Sequence, residues 1–306
     1  MVAVSIPPLP NLVIAGAPRC GTTSLFSWLA AHPEVGGSVV KETFYLMDPG
    51  ATVKDRGRID RGGLDGYREF FRDVPAGTPV VLEATAGYLY QQTALDTFAE
   101  RLTDTKLVFL LRRPADRLLS TYHYFSNNWT DLDVTEIDFD RFVELARSRD
   151  VLLGNNDFLR EAFHHGIYVD HLRRWGDRCG RERMRIVLLE ELREAPERVL
   201  GKLAQWVGID PGFYAGYGFP MRNENYRVRH RSVQRLNQWI RERIPDGGAR
   251  ERLRGLYRKF NTRRPGGPTP GEFAALERLD RAYAAANGAL AREFSLDLSR
   301  WQAPRG

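Results

Sequence analysis

Val13–Val35 reads VIAGAPRCGTTSLFSWLAAHPEV, and the rest of the chain is best read outward from it. Asn11–Gly16 is a short apolar run closed by a glycine, the pattern of a buried strand. Leu25, Trp28 and Leu29 then recur at helical spacing until His32-Pro33 stops the pattern. Between strand and helix, Gly16-x4-Gly21 has the spacing of a phosphate-binding P-loop, but Thr22 stands where a nucleotidase has its lysine.

Further apolar runs follow at PVVLEA (79–84), KLVFLLRR (106–113) and MRIVLLEE (184–191). Helical patterns separate them: QQTALDTFAERL, then ADRLLSTYHYF with Pro114 near its first turn, then NDFLREAFHHGIYVDHLRRWGDR, which holds His164 and His165. Apolar strands alternating with helices predict an α/β fold: a P-loop-like, three-layer α/β/α arrangement around a mainly parallel central sheet. In such sheets ligands bind beyond the carboxyl ends of the strands, where the motifs of this chain fall.

The chain has 306 residues and a net charge of +6. Its basic residues are spread along it, which argues against a nucleic-acid tail. Five of the 45 are lysine. Two cysteines are too few for a disulfide framework. The N-terminal residues lack the basic, apolar and small-residue regions of a secretory signal, and no run of about 18 apolar residues predicts a membrane span. A cytoplasmic protein is expected.

The backbone N–H groups from Cys20 to Ser24 would line a concavity at a helix N-terminus, where the dipole favours an anion. Gly21 permits close approach, the hydroxyls of Thr22, Thr23 and Ser24 add donors, and Arg19 offers a bidentate fork. Two strands end in carboxylates, Glu83 and Glu190/Glu191, imitating the metal-binding acid of a nucleotidase. Without the lysine, a transferred group carrying less charge than a phosphoryl fits better. A sulfuryl group is such a group.

GAPRCGTTSLFSWLAAHPEV…KET resembles the 5′-phosphosulfate loop of the PAPS-dependent sulfotransferases, which commonly carry Lys at the Arg19 position. KLVFLLRRPADRLLSTYHYF is similar to the family's 3′-phosphate motif, here Arg112, Pro114, Arg117, Ser120 and Tyr122. Arg112 leaves the end of a strand and Ser120 lies two turns into the next helix, so both can face one anion. Arg113 and Arg117 are read as partners of Asp116 or of solvent. LEATAGYLY (82–90), the block from Gly166 to Ile209 and LDLSRW (296–301) extend the likeness, which is nearest to the glycosaminoglycan and tyrosylprotein branches.

The resemblance implies one domain over 1–306, with loop insertions near 48–75, 126–155 and 208–231 on the acceptor side. It implies PAPS as donor, leaving as adenosine 3′,5′-bisphosphate, and no metal. Arg19, Cys20, Gly21, Thr22, Thr23 and Ser24 would hold the 5′-phosphosulfate, and Arg112 with Ser120 the 3′-phosphate. Arg19 would also stabilise the departing phosphate, and Glu42, in VVKETFYL, would be the base. His123 is its rival. Arg263 or Arg264 is read with equal weight as a lid over the nucleotide or as part of an exposed turn, and NYRVRHRS (225–232) likewise as an exposed turn or a contact to acceptor or donor. The acceptor could be a small molecule, a carbohydrate or a lipid. A kinase or NTPase with a degenerate loop, and a non-catalytic nucleotide-binding protein, are the alternatives.

Overall fold

A computed structural model describes residues 6–53, 57–128, 137–220, 227–228, 262–263 and 267–305. Its packing divides the chain into two units. The first comprises Met1–Arg117, His165–Arg222 and Tyr283–Gly306; the second comprises Leu118–His164 and Asn223–Ala282.

The first unit is built on five parallel strands: β1 (Leu12–Gly16), β2 (Val35–Gly37), β3 (Val80–Ala84), β4 (Lys106–Leu111) and β5 (Met184–Leu188). Their order is β2-β3-β1-β4-β5. Every residue of β1 and β3 is buried, as in a sheet covered on both faces, so these strands read as continuous apolar runs without alternation. The α/β, P-loop-like architecture expected from the sequence is the one observed.

The helices are α1 (Thr22–Leu29), α2 (Ile59–Arg68), α3 (Gln92–Glu100), α4 (Pro114–Asn128), α5 (Phe139–Ser148), α6 (Asp157–Arg160), α7 (Tyr168–Cys179), α8 (Leu189–Glu194) and α9 (Pro196–Val207), with Pro270–Phe294 and Ser299–Gln302 after them. α1 packs on β1 and β3. α7 reaches the sheet through Trp175, whose ring meets Phe109 edge-on at 5.3 Å and whose Nε1 donates to the Leu89 carbonyl at 3.0 Å. α1 ends at Leu29, and His32, three residues on, is buried. Its Nδ1 accepts from the Glu34 N–H at 3.1 Å, so Nε2 carries the proton and donates to the Asp210 carbonyl at 2.9 Å. In α2, Gly62 and Gly66 sit one turn apart because the Tyr45 hydroxyl lies against both; a Cβ at either would collide with it.

The second unit shows why His123 is engaged. Thr269 and Glu272 form a capping box at the start of the helix Pro270–Phe294: the Thr269 N–H donates to Glu272 Oε2 at 2.7 Å, and the Glu272 N–H donates to Thr269 Oγ1 at 3.3 Å. The other Glu272 oxygen, Oε1, lies 2.7 Å from His123 Nε2.

Two expectations fail locally. The helix read through His164 and His165 is broken: α6 is one turn, His164–Gly166 is a 3-10 turn, and α7 begins only at Tyr168. Strand β5 ends at Leu188, so Glu190 and Glu191 fall in the first turn of α8 and do not close a strand. Acidic residues there suit the helix dipole. Of the 48–75 stretch, the part after Gly57 forms α2 and the 3-10 turn Glu69–Phe71.

Candidate functional site

β1, β3 and β4 end side by side, and their carboxyl edge carries the loops that matter. Because β1 is flanked by β3 on one side and β4 on the other, successive connections leave it in opposite directions and open a crevice at its carboxyl end.

The loop after β1 turns through two left-handed residues, Arg19 (φ 68°) and Gly21 (φ 91°). A Cβ on Gly21 would lie 2.7 Å from Leu189 Cδ1, so both backbone angle and space require glycine. Gly21 is the N-cap of α1 and no side chain caps that helix. The N–H of Ser24 bonds back to the Gly21 carbonyl, but the N–H groups of Gly21, Thr22 and Thr23 have no acceptor among the described residues. Three aligned, unsatisfied donors at a helix N-terminus make an anion cradle. Thr22 is buried, while Thr23 and Ser24 are partly exposed beside it.

Cys20 faces inward. It is fully buried, and its Sγ lies 3.7 Å from the Tyr168 hydroxyl, which donates to the Arg112 carbonyl at 3.0 Å. Tyr168 thus ties the cradle to the end of β4. Burial pushes the Cys20 thiol up to about 11, which excludes a thiolate nucleophile at neutral pH. The half-buried Arg112 guanidinium has no hydrogen-bond or ion-pair partner among the described residues.

Arg113 and Arg117 depart from their expected roles. Arg113 is buried, and its guanidinium donates to the Ala303 carbonyl at 2.9 Å. Asp116 is taken instead by Arg305 at 2.8 Å. Arg117 is 2 % exposed. Burial works against its charge, yet Tyr90, Tyr168, Tyr283 and Cys20 around it leave its affinity for the proton above the ordinary value.

The carboxylates Glu83 and Glu190 are engaged by hydrogen bonds within the protein. Glu190 accepts from the Arg113 N–H at 3.2 Å and from Trp301 Nε1 at 3.0 Å, which explains the conspicuous C-terminal LDLSRW: its tryptophan fastens α8. Glu83 is fully buried and bound by Thr43 and Thr85. No group of three or more His, Cys, Asp or Glu residues able to hold a metal ion occurs among the described residues.

Glu42 lies beyond β2 in irregular backbone. It is left-handed (φ 62°), its N–H donates to the Ala84 carbonyl at 2.8 Å, and its half-buried carboxylate sits 3.2 Å from Lys41 Nζ. Next to this segment is a groove of about 630 Å³ whose lining includes Val39, Val40, Tyr45 and Phe70, with three arginines, Arg58, Arg61 and Arg72, against one carboxylate, Glu69. The first unit therefore gathers Arg19–Ser24, Arg112 and Glu42 on one edge of the sheet. Ser120 and His123 lie on α4 within the second unit, and Ser120 is buried. Arg263 pairs in a two-residue antiparallel ladder with Arg227; Arg264 and most of 225–232 lie outside the described residues.

A family model described as a sulfotransferase domain matches residues 9–216. Among curated proteins, the chain is 26% identical over 208 residues to a bifunctional heparan sulfate N-deacetylase/N-sulfotransferase 1 from Caenorhabditis briggsae, covering 66% of this chain and 23% of that protein. It is 26% identical over 261 residues to heparan sulfate glucosamine 3-O-sulfotransferase 3B1 from Homo sapiens, covering 83% and 62%. The chain thus spans less than a quarter of the first of these and under two thirds of the second. A solved sulfotransferase from Alicyclobacillus acidocaldarius superposes with a TM-score of 0.67 at 21% identity, over 97% of this chain and 100% of that one.

Proposed function

Since the chain belongs to the sulfotransferase domain family, we propose that it moves a sulfuryl group from PAPS to a hydroxyl or amine of a carbohydrate acceptor. The observation that carries this reading is the row of three N–H groups, Gly21 to Thr23, one strand away from the Arg112 guanidinium, none of them with a hydrogen-bond partner among the described residues. A doubly phosphorylated adenosine matches this donor set, because it presents two anionic groups to two separate cationic or N–H-rich sites. A nucleotide kinase is not favoured: the matched family is a sulfotransferase one, and the lysine of phosphoryl transfer is absent at Thr22.

When bound, PAPS supplies an electrophilic sulfuryl group and a bisphosphate that can leave. The N–H groups of Gly21, Thr22 and Thr23 bind the 5′-phosphate oxygens, with hydroxyl donors from Thr22, Thr23 and Ser24. Arg19 stabilises the negative charge that grows on the departing phosphate; its guanidinium stays protonated, so it acts by electrostatics alone. Arg112 holds the 3′-phosphate, together with Ser120, which the sequence motif pairs with it. Glu42 accepts the proton of the attacking hydroxyl or amine. The arginine-lined groove beside Glu42 suits an acceptor that carries negative charge, and the curated relatives named above are heparan sulfate enzymes.

Calorimetric titration with adenosine 3′,5′-bisphosphate, without magnesium, tests donor binding. Wild type should bind, and Arg112→Ala should weaken binding roughly 10- to 100-fold, the loss of charge-assisted hydrogen bonds. Transfer of labelled sulfate from PAPS to oligosaccharides of glucosamine and glucuronic acid tests the reaction. Glu42→Gln should lower kcat by roughly 10²- to 10⁴-fold while bisphosphate affinity holds. Absence of bisphosphate binding by the wild type would overturn the reading.

A further inference from the structure

Glu83 is fully buried at the end of β3, opposite Val13 of β1, and its Oε1 is where two hydrogen-bond chains end. Thr85 Oγ1 donates to it at 2.5 Å and Thr43 Oγ1 at 3.1 Å. A hydroxyl has a single proton. With its own committed to Glu83, Thr43 must accept from the Tyr88 hydroxyl, 2.9 Å away. Tyr88 in turn accepts from the Leu46 N–H at 3.3 Å, and Thr85 accepts from the Phe44 N–H at 3.4 Å. Thr43 Oγ1 also accepts from the Tyr45 N–H at 3.3 Å. Every backbone N–H of residues 44–46 is thereby linked to one carboxyl oxygen.

That orientation holds a backbone that would otherwise relax. Glu42 (φ 62°) and Phe44 (φ 56°) are both non-glycine residues in the left-handed region, on either side of Thr43. Each is a strained conformation that persists only where its surroundings over-determine it. Among the described residues the segment has no strand partner for its N–H groups beyond the Glu42 bond to Ala84, so the Glu83 network satisfies them instead.

We propose that Glu83, acting through Thr43, is a positioning residue: it holds the double left-handed turn that aims the Glu42 carboxylate at the acceptor, without itself touching either substrate. This rests on the reading of Glu42 as the base. Thr43 is the point to cut, because Thr43→Val keeps shape and removes the hydroxyl joining Glu83 to Tyr88.

The test is a mutant cycle in the labelled-sulfate assay, using a sugar acceptor that the wild type sulfates, with bisphosphate calorimetry on every variant. Thr43→Val should lower kcat by roughly 10- to 100-fold, as small misplacements of a reacting group do, with bisphosphate affinity unchanged. In a Glu42→Gln background the same substitution should have little further effect, since residues that act as one unit are not additive. Glu83→Gln, whose amide oxygen still accepts, should stay near wild type, whereas Glu83→Leu should resemble Thr43→Val.

Full activity of Thr43→Val beside an inactive Glu42→Gln would overturn the positioning role alone. Undiminished activity of Glu42→Gln, or a wild type that sulfates none of these sugars, would overturn the base or the function on which it rests. A bisphosphate affinity that falls in step with kcat would reduce Glu83 to general structural support and overturn the proposal.

Discussion

Replacing Glu83 by glutamine should remove a defined part of the pH dependence of stability. Glu83 has no exposed surface, and burial raises its carboxyl from 4.5 to about 7 against the opposing pull of Thr85, Thr43 and Lys41. The titratable groups around it are Lys41, Tyr67 and Tyr88, and burial raises both phenols well above their ordinary range, so neither tyrosine ionises near neutrality. Oε2 has no hydrogen-bond partner among the described residues, so ionisation leaves a bare oxygen in a buried setting. Because the folded group holds its proton more tightly, its contribution is fully present below pH 4.5 and is lost as pH rises through 7. A shift of this size is worth about 3 kcal/mol, of which roughly 2–3 kcal/mol falls between pH 5 and pH 8. Urea denaturation of wild type and Glu83→Gln at these two pH values measures the difference directly, since every other titrating group is common to both. Glu83→Gln should gain on the wild type by that amount on going from pH 5 to pH 8. Parallel curves, or a wild type that gains instead, would show that Lys41 and the two threonines keep Glu83 ionised and would refute the argument.

Two further outcomes follow from the same structure. Cys20 and Cys179 are both pushed up to about 11 by burial, so neither should react with a thiol reagent in native protein at pH 8, and both should react once the chain is unfolded; a fast native phase in a mass-resolved labelling experiment would contradict this. Gly21→Ala should cost about 1–3 kcal/mol of stability, from a left-handed alanine and its contact with Leu189. It should also lower bisphosphate affinity in calorimetry, and unchanged affinity would show that the anion does not sit on the α1 N-terminus.

The strands and the cradle were legible because each is local. β1, β3 and β4 are covered on both faces and so appear as unbroken apolar runs, and Gly16-x4-Gly21 places a turn and a helix start within one short segment. β5 was legible only in part. VLLEELRE is apolar and then acidic, a pattern that a strand and a helix start share, and the chain turns into α8 three residues before the sequence suggests. Arg113 could not be assigned from sequence, because its partner, Ala303, lies 190 positions away. The Glu83 network was hidden for the same reason. Thr43, Thr85 and Tyr88 are ordinary polar residues until β3 brings them beside the segment that follows β2.

The two functional loops use one device and stabilise it differently. Each places left-handed residues on both sides of a buried one: Arg19 and Gly21 around Cys20, Glu42 and Phe44 around Thr43. In the cradle, glycine supplies one of the two positions at no steric cost, and the Tyr168 hydroxyl lies between Cys20 and the main chain of β4. In the segment of Glu42, the proposed base, no glycine is present, and hydroxyl chains converging on a buried carboxyl carry the strain instead. The hydrogen bonds of the two arrangements share no residue, and they hang from different strands, β4 and β3. The proposed donor binding and proton removal are therefore served by separate side-chain hydrogen bonds: those of the Thr43–Glu83 network lead to the Glu42 segment, and among the described residues none leads on to the N–H groups of Gly21–Thr23. That independence is why a change in turnover at constant bisphosphate affinity is the signature to seek, and why the two quantities falling together would count against the division of labour argued from these contacts.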